Sequence, residues 1–409
     1  MTLQLTPPQK SQSNCLKKNN YKTTEVGKAF GTIELYDQER VVHITTFRKD
    51  TYETDSRNPE IEKASNLVTD LSRRDFTINS IAYSLETNEL IDPFSGLKDL
   101  ASGTISTPDD PIISFSDDPL RMLRVCRFAS THGFSPDNET YIAMKENIER
   151  IKIITKERIR DEINKLLVGK SPSMGIRTLV ESGLSLYIIP EINELKIEVD
   201  PKHHHKDVYE HTLAVLDGVP PKLTLRMGAL LHDIAKPNTK GIENGKVHFR
   251  HHEVVGARMT KKILKGLKYD NKTIEDIALL VEQHLRPHTF KMGWTDSAVR
   301  RYIVDAGHML EDLNELVRAD VTTKNKIKAK EIYENLDEME KRIEEVKAKE
   351  ELSKIRPALS GDEIMEHFNI QPGPKVGVIM KALYEQRIND GEVSKEDALK
   401  LAEETYKNL

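Results

Sequence analysis

After Pro119 the apolar residues Leu120, Leu123, Phe128, Met144, Ile148, Ile151, Ile159, Ile163 and Leu167 fall at helical spacings, broken near His132-Gly133. From there to the C-terminus the pattern predicts helices almost throughout. The text upstream is different. Phe30-Gly31-Thr32-Ile33-Glu34-Leu35-Tyr36 and Arg40-Val41-Val42-His43-Ile44-Thr45-Thr46-Phe47 are β-branched runs separated by Asp37-Gln38-Glu39, and they predict a hairpin. Residues 79–85 and 90–93 flank Glu86-Thr87-Asn88-Glu89 and predict a second short strand pair or a helix running into a turn. Residues 1–27 mix Pro, Ser, Asn, Gln and Lys without a period of 2 or 3.6 and read as a loose arm. Between 324 and 356, Ile332, Leu336, Met339, Ile343 and Val346 alternate at spacings of four and three. Fewer than three heptads favour packing on the helix's own domain over a coiled coil. Gly373-Pro374 opens another helix, with Pro in its first turn.

The length of 409 residues, 46.7 kDa, fits two to four domains. At 37% hydrophobic and 31% charged residues the composition excludes collagen-like and low-complexity classes. No apolar run approaches the roughly 18 residues that span a bilayer. The first fourteen residues lack an apolar segment behind a basic start, so the expectation is a cytoplasmic protein with no membrane partner. Cys15 and Cys126 make no disulfide framework and have no metal-ligand spacing, which fits a reducing compartment. Lys plus Arg number 61 against 66 for Asp plus Glu, so a polyanion site must be local.

One such place is residues 121–170, with eleven Lys/Arg against seven Asp/Glu. Arg121, Arg124 and Arg127 stand three apart on one helix face, where they can meet a triphosphate or a sugar-phosphate chain. A solvated helix face explains the same spacing. A second place is chemical rather than electrostatic: ten of the fourteen histidines lie within the 86 residues 203–288. His232-Asp233 ends an apolar helical segment, His211 lies one helix earlier and Asp320 on a later one. Two imidazoles and two carboxylates suit Mn, Fe, Ni, Zn or Mg and leave positions open for water and a phosphate oxygen. His252 and His284 are candidates for a second metal. For His203, His204, His205, His248 and His288 a structural role is the expectation, and of the neighbours His251 and His252 the second is expected to face the site.

The quartet His211, His232-Asp233 and Asp320 resembles the HD family of metal-dependent phosphohydrolases. The series Leu71-Ser72-Arg73-Arg74-Asp75-Phe76-Thr77-Ile78-Asn79, then Ile91-Asp92-Pro93-Phe94-Ser95-Gly96, then Asp117-Asp118-Pro119-Leu120-Arg121-Met122-Leu123-Arg124-Val125-Cys126-Arg127-Phe128 closely resembles the class II tRNA nucleotidyltransferase and poly(A) polymerase family. The resemblance runs from about Gly27 to the C-terminus and is nearest to the actinobacterial type of CCA-adding enzyme. It implies a mainly α protein. A partial α+β nucleotidyltransferase head over 28–105, its mixed sheet lacking N-terminal strands, follows the arm over 1–27. A helical nucleotide- and RNA-binding neck over 106–200, an HD domain over 201–323 and a helical tail over 324–409 complete it. It also implies CTP, ATP and tRNA as partners, with Mg²⁺ for transfer and a divalent transition metal such as Ni²⁺, Mn²⁺ or Fe²⁺ in the HD site. In the family the position of Arg74 meets nucleotide phosphates and that of Asp75 the ribose; Asn79 belongs to the same motif. Asp118 and Arg121 present an acceptor and donors to the Watson-Crick edges of C and A, and Arg124 and Arg127 meet the triphosphate. Glu157-Arg158-Ile159-Arg160-Asp161-Glu162 resembles the neck motif that braces this helix, which adds Arg158 to the nucleotide set.

The departure is upstream. The family holds Mg²⁺ with an Asp-x-Asp strand behind a Gly-Gly-x-x-x-Arg-Asp loop, and neither occurs in residues 1–30. The further acidic position before Ile-Thr-Thr-Phe-Arg is His43. Glu53-x-Asp55 has the right spacing in a loop the family also has, and reads as a decoy. Residues 241–246 are one residue short of a phosphate loop. Three readings follow: a CCA-adding nucleotidyltransferase whose metal strand lies outside this sequence, an HD phosphohydrolase acting on tRNA 3′ phosphates or nucleotides, or a tRNA-binding remnant.

Overall fold

The β-branched runs of the head pair as their patterns require. In the computed structural model, which describes residues 2–5, 22–24, 32–37, 40–51, 60–64, 66–197, 207–244, 246–323, 325–349 and 356–409, β3 (Thr32–Asp37) and β4 (Arg40–Thr46) form the predicted antiparallel pair. Ile33 faces Ile44 in register, and both are buried. The segment expected as a loose arm contributes two strands to this sheet. β1 (Thr2–Leu5) runs parallel to β4, and β2 (Lys22–Thr24) antiparallel to β3, giving the order β1-β4-β3-β2. Four and three residues are too few to show a period, and it is pairing with β4 that makes β1 a strand. β5 (Arg48–Thr51) and β6 (Glu60–Lys63) form a second antiparallel pair. Glu53-x-Asp55 lies outside the described residues, as do Gly27 and His203, His204 and His205.

Two compact units divide the chain, residues 1–193 and 194–409. In the first, α1 (Leu67–Ser72) is capped by Asn66, whose side chain accepts from the Thr69 N–H at 2.9 Å. Of the two alternatives expected for 79–85 and 90–93, the strand pair is present, as a short antiparallel ladder of Ala82–Tyr83 with Leu90–Ile91. α2 (Gly96–Ser102) starts on Asp92, which accepts from the N–H groups of Gly96 and Leu97 at 2.7 and 3.0 Å. α3 (Pro111–Asp117) leads into α4 (Leu120–His132), which ends at Gly133 in the left-handed region, φ 73°. α5 (Asn138–Glu146), α6 (Lys156–Leu167) and α7 (Pro172–Glu181) follow, with α6 and α7 packed on α4. Met122, Leu123, Val125, Cys126, Phe128 and Ala129 are all buried, so α4 is apolar nearly all round. Its half-buried stripe is Arg121, Arg124 and Arg127.

The second unit is helical apart from one hairpin among its described residues. α8 (Val208–Gly218), α9 (Leu223–Leu231), the hairpin β7 (Lys240–Glu243) and β8 (Lys246–Phe249), α10 (His252–Gly266) and α11 (Asn271–Gln283) come first. α12 (Asp296–Ala306), α13 (Leu310–Asp320) and α14 (Lys326–Lys349) come next. On α14 the side chains of Leu336, Met339, Ile343 and Val346 are buried against this same unit, as the short seam predicted. α15 (Gly361–Phe368), α16 (Pro374–Asp390) and α17 (Lys395–Lys407) enclose their own small core of Leu359, Ile364, Ile379, Leu383, Ala398 and Ala402. Arg300 of α12 donates to the carbonyls of Ile388 and Asn389 at the end of α16, at 2.8 and 3.0 Å, and so fastens that core to the rest. No described helix is long and apolar enough to cross a membrane.

Candidate nucleotide and metal sites

In the first unit the loop after α1 and the arginine stripe of α4 meet. Asp70, fully buried, accepts from the Arg48 N–H at 3.2 Å and from Arg73 Nε and Nη2 at 3.0 and 2.7 Å. Arg74 Nη1 donates to the Asn79 carbonyl at 2.7 Å. Asn79 Nδ2 donates to Asp75 Oδ1 at 3.0 Å, and Arg124 forms an ion pair with Asp75. Arg121 donates from Nη1 to Ser114 Oγ at 2.7 Å and from Nη2 to the Arg73 carbonyl at 2.5 Å. Asp118 accepts from the Leu120 N–H at 3.2 Å at the start of α4. Thus Arg74, Asp75, Asn79, Arg121 and Arg124, drawn from two stretches of the chain, stand in one bonded cluster through Asp70 and Arg73, while the Asp118 side chain bonds only within the start of α4. Asp70 was not legible as a member; its signal is the i, i+3 and i, i+4 spacing to Arg73 and Arg74.

Arg127 and Arg158 are placed differently. Arg127 pairs with Glu162 of α6 at 3.1 Å and lies over the Phe128 ring, and Lys165 also reaches Glu162 at 3.2 Å. Arg158, one turn before Glu162 on α6, is exposed and stands outside this bonded network.

Among the described residues of this unit, the oxygen ligands that magnesium demands form no cluster. The 409-residue sequence contains no Asp-x-Asp at any position. At the further acidic position His43 lies opposite Glu34, Nδ1 to Oε1 3.6 Å, and a single carboxylate beside an imidazole does not fit Mg²⁺. Both clusters of three metal-type ligand atoms among the described residues lie in the second unit.

There the predicted histidines converge on one carboxylate. His232 and Asp233 close α9, His211 comes from α8, His252 opens α10, His284 follows α11 and Asp320 ends α13. Asp233 Oδ2 lies 3.2 Å from His232 Nε2 and 3.5 Å from His211 Nε2, and Asp320 Oδ1 is 2.9 Å from His211 Nε2. The other oxygen, Oδ1, is 3.2 Å from His252 Nε2 and 3.9 Å from His284 Nε2. Two ligand triads, His211/His232/Asp233 and Asp233/His252/His284, therefore share Asp233.

The imidazoles are locked from behind. Nδ1 of His232, His252 and His284 lies 2.7–2.8 Å from the carbonyls of Ala229, Phe249 and Val281. A carbonyl only accepts, so each Nδ1 carries the proton and each neutral Nε2 offers a lone pair to the centre. His252 Nε2 and Asp233 Oδ1 are buried there without a hydrogen-bond donor. Lone pairs facing one another in a buried site are costly unless a cation stands between them, and this donor set fits divalent metals. Burial opposes ionisation of Asp233, yet its neighbours His232, His252 and Lys236 more than offset it and hold the carboxyl well below its usual range. Burial pushes His284 down to about 3, which keeps it a neutral ligand.

His251 is exposed and His252 buried, so the site takes the second of that pair, as expected. His248 lies on the hairpin against Gly241, away from the cluster. His288, expected to be structural, instead places Nε2 3.4 Å from Asp320 Oδ2, and Lys236 Nζ lies 2.5 Å from Asp233 Oδ2. Spacing of four from His284 and of three from Asp233 was the available signal for each.

Comparison with known proteins agrees with both halves. Residues 3–106 match the Poly A polymerase head domain, 133–196 the probable RNA and SrmB-binding site of polymerase A, and 203–327 the HD domain. The head match starts well upstream of Gly27, where the resemblance read from sequence begins. The A-adding tRNA nucleotidyltransferase of Deinococcus radiodurans is 32% identical over 336 residues, covering 79% of this chain and 75% of that one. The CCA-adding enzyme of Geobacillus sp. is 28% identical over 373 residues, 91% and 80% of the two chains. In fold, the chain resembles the Bacillus stearothermophilus CCA-adding enzyme in complex with CTP, with a TM-score of 0.64 at 22% identity over 95% of this chain and 85% of that one. By the extent and identity of these matches, the chain belongs to the tRNA nucleotidyltransferase family that includes the CCA-adding enzymes.

Proposed function

We propose that the first unit selects CTP and ATP for addition of CMP and AMP to tRNA 3′ ends. The observation that carries this is the joining of Arg74-Asp75-Asn79 to Arg121 and Arg124 in one half-buried cluster, with Asp118 at the start of the helix that carries both arginines. Cytosine and adenine both offer an amino group beside a ring-nitrogen acceptor on the Watson-Crick edge. Asp118 accepts from the first and Arg121 donates to the second, so a carboxylate and a guanidinium fork replace a template. Uracil and guanine present a carbonyl where the amino group should be, and meet Asp118 with repulsion. Arg124 and Arg74 supply positive charge for the phosphates, while Asp75 is held by Asn79 to receive the ribose. Arg127 acts through packing, by bracing α4 on α6. The magnesium that transfer needs has no ligand set among the described residues of this unit.

The test is incubation of the 409-residue chain with tRNA lacking its 3′ CCA and each labelled nucleotide in turn, with Mg²⁺ present. Label entering from CTP and ATP, and lost in Arg121→Ala, supports the reading. Equal entry from all four nucleotides, or entry undiminished in Arg121→Ala, overturns it.

The Asp233-centred cluster favours a second activity, metal-dependent phosphoester hydrolysis in the second unit on a tRNA 3′ phosphate or a nucleotide. His211, His232, Asp233 and Asp320 would hold one cation of the Ni²⁺, Mn²⁺ or Fe²⁺ kind, and Asp233, His252 and His284 a second. Such a cation, when bound, polarises a phosphoryl oxygen and acidifies water. The chain's own part is to present unprotonated Nε2 atoms, fixed through their Nδ1 protons, and to hold Asp233 ionised beside Lys236. Phosphate release that requires the metal and disappears in His232→Ala supports this reading, and release surviving in that variant rejects it.

A further inference from the structure

Arg121 is gripped from two sides before any substrate arrives. Nη1 donates to the hydroxyl of Ser114, a buried residue of α3, at 2.7 Å, and Nη2 donates to the Arg73 carbonyl at 2.5 Å. These bonds take one N–H from each terminal nitrogen and leave three of the five N–H groups for a ligand. The Arg73 carbonyl is itself a fixed anchor, because the Arg73 side chain is tied to the fully buried Asp70. Ser114 is therefore the grip whose removal frees one end of the fork while leaving the other held. Ser114 is buried where it meets Arg121.

The two bases make different demands on that fork. Cytosine presents N3 and O2 side by side as acceptors, and two parallel N–H bonds need a guanidinium held in one plane and one orientation. Adenine presents N1 alone, and a single bond tolerates a fork that pivots. We propose that Ser114 is a positioning residue which, by fixing Arg121, favours cytosine over adenine at the nucleotide site. This rests on the assignment of Arg121 to the base edge.

The experiment is calorimetric titration of CTP and of ATP, separately, into the full chain and its Ser114→Ala and Ser114→Thr variants. Binding is read directly, so the result does not depend on transfer. Losing one orienting hydrogen bond of ordinary worth should weaken CTP about fivefold more than ATP in Ser114→Ala. Ser114→Thr keeps the hydroxyl and should retain the wild-type ratio. A CTP-to-ATP ratio in Ser114→Ala within about twofold of wild type, or an equal loss for both, overturns the inference. If Ser114→Ala binds neither nucleotide, Ser114→Cys keeps the volume with a weak acceptor, and an unchanged ratio there overturns it equally. Wild-type protein that binds neither CTP nor ATP contradicts the base-edge assignment itself, which is a different result.

Discussion

Arg127 on α4 and Glu162 on α6 form an ion pair at 3.1 Å whose carboxylate is only 6% exposed and whose guanidinium is 15% exposed. The family resemblance makes Arg127 a triphosphate ligand, and in the structure it also joins two helices through Glu162. Removing one partner of such a pair strands the other charge in a poorly solvated place. Burial already works against the charge on Arg127, and Glu162 is the group that restores it.

Glu162→Ala should therefore destabilise the chain by about 3 kcal/mol, read as a shift in the urea midpoint. A loss below about 0.5 kcal/mol would show that Arg127 finds water or another partner and that the brace is not structural.

The shared Asp233 predicts a metal count. Wild-type protein should carry two divalent cations per chain by elemental analysis, and His252→Ala one, because His211, His232, Asp233 and Asp320 remain. An unchanged count in His252→Ala would place both ions elsewhere or reduce the site to a single ion.

Gly96 sits where no side chain fits, since a Cβ there would lie 2.2 Å from the Thr77 carbonyl oxygen. Gly96→Ala must push back the 77–79 turn that carries Asn79, at a cost of about 2 kcal/mol. Thermal melting of this variant at the wild-type midpoint would contradict the close approach.

The tail carries a pH signature. Lys395, at 2.7 Å, and then the N–H and hydroxyl of Ser360 hold the Glu363 carboxyl at about 2, against 4.5 for the free group. A depressed carboxyl stabilises fully above its unfolded value and loses that contribution as pH falls through its folded value. The stability difference between wild type and Glu363→Gln should thus persist at pH 6, shrink below pH 4.5 and vanish near pH 2. A difference that stays constant down to pH 2 would contradict the capping box.

Periodicity was enough for α4, α14 and the β3–β4 hairpin, because each pattern is local and long enough to repeat. It was not enough for β1, whose pairing with β4 is decided some 40 residues away. The candidate metal ligands His211, His232, Asp233, His252, His284 and Asp320 were legible as residue types. What locks them, three backbone carbonyls behind three Nδ1 atoms, leaves no trace in residue identity. His288 and Asp70 were passed over for the same reason, since a histidine or aspartate among many gains a role only from the carboxylate or guanidinium that folding brings to it. The Arg127–Glu162 pair is a further contact that the motif position alone does not reveal.

Equilibrium binding of the four ribonucleoside triphosphates to the 409-residue chain tests the central claim, that Asp118 and Arg121 read the base, most directly. CTP and ATP should bind at least about tenfold more tightly than UTP and GTP, a preference that Arg121→Ala abolishes. Four equal affinities, or a preference that survives in Arg121→Ala, would contradict it.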